Sequence, residues 1–145
     1  MVRRSEVVTI DLTLRLLGSE TGIDLPARLR YEAADPYAVR LIFGLGATEE
    51  TVEWVFAREL LSGGMTGPTG GGDVRIAPGT IEDPDSRTEL TVALSSPSGS
   101  AMLSVPRALA TNFLLATYEL VWPGCESQHL DLDSAVESLL FNGQS

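Results

Sequence analysis

A chain of 145 residues is long enough to bury a core without disulfides or metal, and its length points to one domain, residues 1–145. Its 43% apolar content is spread in runs of a few residues, far short of the roughly 20 that a membrane-spanning helix needs. The net charge of −10, with ten arginines and no lysine, excludes a P-loop lysine, Schiff-base chemistry and a lysine general base, and it argues against nucleic acid as a partner.

The acidic excess is uneven. Residues 1–40 hold six Arg and six Asp or Glu, whereas residues 41–145 hold four and fourteen. The opening "MVRRSEVVTIDL" has two arginines but then alternates apolar with polar, unlike the apolar centre and cleavage site of a secretory signal. A cytoplasmic location is the expectation, and the single cysteine, Cys125, which has no internal partner for a disulfide, agrees with it.

The first strand is expected over residues 9–16, where Ile10, Leu12, Leu14 and Leu16 alternate with Thr9, Asp11, Thr13 and Arg15. "PARLRYEA", residues 26–33, alternates again, with Ala27, Leu29, Tyr31 and Ala33 opposite Arg28, Arg30 and Glu32. Asp35 and Pro36 are turn residues, since the Asp carboxylate can bond the backbone two residues on and Pro presets φ. The returning strand then puts Tyr37, Val39, Leu41 and Phe43 on one face and Arg40 on the other. After "GLGATEE", a fourth strand turns Val52, Trp54 and Phe56 inward.

At Ala57 the pattern changes to helix formers, "ARELL", ended by Gly63 and Gly64, residues suited to a left-handed C-cap. "MTGPTGGG" is a loop by composition, "DVRIA" a short strand, and "PGTIEDPDSRTE" an acidic connection. "LTVALSS" and "SAMLSV" form a hairpin across "SPSG". Pro106 suits the first turn of a helix whose apolar face is Leu109, Phe113, Ala116 and Leu120. A last helix is expected from Asp133 or Ser134, where Ser134 and Glu137 have capping-box spacing. The fold class is therefore α+β: antiparallel sheet with a short helix and C-terminal helices.

Candidate chemistry is sparse. "TGPTGGGD" lacks the spacing of a phosphate loop and precedes a strand rather than a helix. Cys125 and His129 lie four residues apart, without a third residue to orient a thiolate or to close a metal site. Glu82, Asp83, Asp85 and Glu89 lack the ligand spacing and central glycine of a calcium loop, with Arg87 where a ligand belongs. No catalytic, cofactor or metal residues are assigned. Arg28, Arg30 and Arg40 are different: on two paired strands they share one face and would form a small basic patch if the register joins them. Planar, multidentate Arg suits such a patch to docking carboxylates or phosphates; a wetted sheet face is the alternative.

The stretches "LRYEAADPYAVRLIF", "EETVEWVFARELL", "PTGGGDVRI", "LSSPSGSAML" and "HLDLD" resemble, in order and spacing, segments of the SsgA-like proteins of sporulating actinobacteria. The resemblance runs along nearly the whole chain and is weakest in "MTGPTGGG" and "LVWPGCESQH". It implies a non-enzymatic role in sporulation-specific division at septum sites: recruitment of the tubulin-like protein FtsZ and promotion of its polymerisation, together with an SsgA-like paralogue. It also implies a homotrimer and a whirly-like fold, similar to that of single-stranded nucleic-acid-binding proteins. Nucleic-acid binding inherited with that fold is the alternative function, and it would need a positive groove with exposed stacking aromatics.

Overall fold

The structure is a computed structural model that describes residues 6–18, 23–44 and 50–128. The order of elements is β1 (Val7–Leu16), β2 (Ile23–Glu32), β3 (Ala38–Gly44), β4 (Thr51–Ala57), α1 (Arg58–Gly64), β5 (Val74–Pro78), β6 (Glu89–Ser96), β7 (Gly99–Pro106) and α2 (Arg107–Leu120). The α+β class expected from the sequence is what the chain adopts. The final helix expected from Asp133 or Ser134, and His129, lie outside the described residues.

All seven strands join one sheet in the order β4-β3-β2-β1-β7-β6-β5, and the named pairs are antiparallel. Its seam is short. Whereas β1 and β2 pair along ten residues each, β1 meets β7 only at Arg15↔Ser104 and Leu16↔Leu103, extended by the bond from Leu17 N to Met102 O. The inner face carries Leu12, Leu14, Leu29, Tyr31, Val39, Leu41, Leu90, Val92 and Leu103, and α2 lies on it with Ala110, Phe113 and Leu114. Each large apolar side chain buried there contributes about 1.5–3 kcal/mol, which is what holds helix and sheet together. Pro26 is tolerated inside β2 because it lies just past the last residue that β3 pairs.

Three local expectations are corrected. Tyr37 does not face the core: β3 begins at Ala38, and Tyr37 sits in the preceding turn, the residue 47% exposed. Gly63 and Gly64 do not form a left-handed cap, since the helix runs through Gly64 and is capped by Met65 in the right-handed region. Gly64 answers to packing instead: a Cβ there would stand 2.3 Å from Ile76 Cγ2, so only glycine lets β5 approach α1. The buried stripe of α2 is Ala110, Phe113, Leu114 and Thr117, with Leu109, Ala116 and Leu120 at its margin. Apolar spacing missed the stripe's true centre because one of its members is a threonine, fully buried with its hydroxyl donating to Leu114 O at 2.7 Å.

The glycine-rich segment folds back on β5 through paired bonds of 2.9 Å between Thr69 and Ile76, leading into a strand rather than cradling an anion. Arg107 ties its start to α2 by donating to Met65 O at 2.7 Å. Among the described residues no three His, Cys, Asp or Glu side chains converge in a way that could hold a metal ion.

Candidate partner-binding face

The outward positions of β1–β4 carry the sequence's candidate residues. Alternation sends Leu12, Leu29, Leu41 and Phe56 inward and leaves Asp11, Arg28, Arg30, Arg40 and Glu53 outside. The register brings the arginines together: Arg30 lies directly opposite Arg40, and Arg28, two residues along the same strand, lies opposite Ile42 and Asp11.

Like charges directly opposite on adjacent strands repel. Carboxylates relieve that repulsion at every position. Arg28 Nε donates to Asp11 at 2.8 Å, Arg30 holds Glu32 at 2.7 Å, and Arg40 spans Glu53 at 2.7 Å and Asp35 at 3.3 Å. With four carboxylates around three guanidiniums, the face is a charge-balanced lattice rather than a basic patch. Hydrogen bonding to Arg28, reinforced by its charge, holds Asp11 below the usual carboxylate range and raises Arg28 in turn. The bond from Glu53 raises Arg40 against the opposing effect of burial.

These pairs are half-exposed, the side chains of Arg28 and Asp11 at 53% and 73%. Solvent screening therefore makes each pair weak and readily exchanged for another partner. A guanidinium has five N–H donors in a fixed fork, so one carboxylate does not saturate it. A second network crosses the seam, where Arg15 reaches Glu82 and Glu89 at 3.3 and 3.2 Å, and Ser104 also donates to Glu89. The Ser104 bond, helped by Arg15, lowers the Glu89 carboxyl despite partial burial.

Sequence reasoning missed the arginine that, among the described residues, has the most partners. Arg58 opens α1 yet is only 2% exposed, its guanidinium 4.9 Å from the ring centre of Tyr31 and 5.0 Å from that of Tyr118. Its Nη1 donates to Val121 O at 2.8 Å and Thr117 O at 3.3 Å, so it caps the C-terminus of α2 with a positive charge. Its Nη2 stands 3.1 Å from Glu126 Oε2, close enough for charge attraction but poorly aligned for a hydrogen bond. Burial works to raise the Glu126 carboxyl, but backbone N–H groups and Arg58 outweigh it, and the group ends below its ordinary range. Burial pushes the Tyr31 phenol up to about 12, and its hydroxyl donates to Pro36 O at 2.9 Å. A signal did exist: the inward period of β4 at 52, 54 and 56 continues to 58.

A curled antiparallel sheet backed by a helix, with charged side chains on its outer face, defines a protein that presents a surface. The family model described as "Streptomyces sporulation and cell division protein, SsgA" matches residues 25–126, and the chain belongs to that family. It is 47% identical over 134 residues to the sporulation-specific cell division protein SsgB of Streptomyces coelicolor, covering 92% of this chain and 95% of that one. Against SsgB of Salinispora tropica it is 44% identical over 141 residues, 96% of each chain. The solved SsgA-like sporulation-specific cell division protein of Thermobifida fusca superposes with a TM-score of 0.82 at 40% identity, covering 95% of this chain and 98% of that one. A second solved structure, from work on SsgB mutations and longitudinal cell division during sporulation of S. coelicolor, gives 0.79 at 45% identity, with 89% and 99% covered.

Proposed function

We propose that this chain is a non-enzymatic division protein that recruits FtsZ to septum sites during sporulation and promotes its polymerisation. The observation that carries this reading is the match to proteins named SsgB over nearly the full length of both partners. In this reading the chain works in the cytoplasm at the septum, as a single domain assembled into a homotrimer, alongside an SsgA-like paralogue. None of the helices in the described residues is long and apolar enough to cross a membrane.

Arg28, Arg30 and Arg40 are the proposed contacts for FtsZ. Their existing carboxylates are exchangeable, and the alternation of sign across the lattice fixes register more than it adds affinity. Tyr31, Phe43 and Phe56 on the strands that carry these guanidiniums are buried in the core, so the strands themselves offer bases no stacking platform. That pattern favours protein docking over base stacking.

Co-sedimentation with FtsZ and GTP tests the proposal: both proteins should be enriched in the pellet relative to either alone. No enrichment by a folded oligomer would overturn it, and a salt-dependent shift of a labelled single-stranded oligonucleotide would then favour the alternative.

A further inference from the structure

We infer that the open edge of β4 docks an extended segment of another protein, apolar at alternate positions and basic opposite Glu53, as an added strand of the sheet. β4 ends the strand order, and among the described residues only β3 pairs with it. Parity decides which of its backbone groups are free. Arg58 N donates to Tyr37 O at 2.7 Å, one step beyond the Ala38↔Ala57 pair, so the positions of β4 that bond to β3 are Phe56, Trp54 and Val52. The N–H and C=O groups of Thr51, Glu53, Val55 and Ala57 therefore point away from β3. They recur about every 7 Å, a spacing that another extended chain matches.

The two edges of the sheet differ. On β5, Thr69 exchanges both backbone bonds with Ile76, and Pro78 has no N–H to offer. β4 lacks the devices that keep edges from pairing: residues 51–57 contain no proline and no lysine, and their unbroken register with β3 leaves no bulge. Its one charged side chain, Glu53, is drawn back toward β3 by Arg40 at 2.7 Å. Both faces of the strand are also incompletely covered. Val55 on the outer face is 50% exposed, and Val52 and Trp54 on the inner face are only partly buried. A strand added here removes apolar surface from water on both faces while it satisfies the outward backbone groups.

Charge defines the occupant. Glu50, Glu53 and Glu59 are exposed in and beside the strand, residues 51–57 hold no cation, and the chain carries −10. A basic residue opposite Glu53 makes a favourable cross-strand pair, and a basic segment is drawn to the chain as a whole. Arg40 keeps Asp35, at 3.3 Å, when Glu53 takes a second partner. A second copy of this chain offers neither attraction, since no register of β4 against itself sets a cation opposite Glu53.

The test uses the full chain and, as probe, a fluorescein-labelled peptide of about ten residues that alternates valine with threonine around one central lysine, read by anisotropy and amide hydrogen exchange. The probe should bind saturably and slow exchange at Glu53 and Val55, whose amides face outward, while Trp54 and Phe56 exchange as before. Val55→Pro removes one outward N–H without touching the β3 ladder, and should weaken binding at least about tenfold. No saturable binding, binding without slowed exchange at Glu53 and Val55, or equal affinity for Val55→Pro would overturn the inference. So would slow exchange of those two amides before the probe is added, the result expected if another copy or another stretch of this chain already pairs with the edge. If Val55→Pro does not fold, Glu53→Lys should weaken binding at least about threefold, and a probe with glutamate for lysine should recover it; unchanged affinity overturns the inference.

Discussion

Arginine does two different jobs in two parts of this molecule. On the outer face of β1–β4, Arg28, Arg30 and Arg40 sit in half-exposed pairs whose carboxylates belong to nearby strand and turn positions. Beneath α2, Arg58 is enclosed by two tyrosine rings, two backbone carbonyls and one carboxylate. In water a pair is nearly balanced by solvation and can change partners, whereas a buried cation must keep every partner it has. The difference leaves the outer arginines able to exchange partners and ties the inner one to the fold.

The comparison breaks most visibly at Arg58. Arg58→Ala should cost about 3–5 kcal/mol by leaving the α2 carbonyls and Glu126 without their cation, measured by chemical denaturation. A loss below 1 kcal/mol would remove the distinction between the two regions. Next, Gly64→Ala should cost about 1–3 kcal/mol through the clash with Ile76, less the helix-propensity gain of about 1. A double-mutant cycle with Ile76→Ala should recover part of it. Tyr31→Phe, which strips Pro36 O of its donor, should cost about 1 kcal/mol and should abolish a tyrosinate absorbance step near pH 12.

Acid should separate the regions further. The Glu126 carboxyl is lowered in the fold from an ordinary value of 4.5, so its stabilisation is present above that pH and is lost as pH falls below it toward the folded value. Glu126→Gln should make acid unfolding below pH 4.5 shallower. The smallest effect belongs to the outer face, where Arg28→Gln should leave the denaturation midpoint close to that of wild type, because solvent screens its pair with Asp11.

Most of the sheet was legible because alternation is enforced by burial of one face: Leu12 and Leu14, Leu29 and Tyr31, and Val39 and Leu41 fell where the pattern put them. Legibility failed wherever a residue served a neighbour rather than its own element. Gly64 accommodates Ile76, buried Thr117 lies beside the Arg58 guanidinium, and Arg58 joins α1, α2 and Glu126. The candidate face was legible as three arginines on paired strands. Its carboxylate lattice was not, because the pairing of Arg28 with Asp11 and of Arg40 with Glu53 depends on cross-strand register.

The most direct measurement is pelleting with FtsZ polymers of the variant that replaces Arg28, Arg30 and Arg40 by glutamine, beside wild type and at matched oligomeric state. The account predicts that the variant stays in the supernatant while melting within a few degrees of wild type. Pelleting equal to wild type would contradict it and move the FtsZ contact off the arginine face.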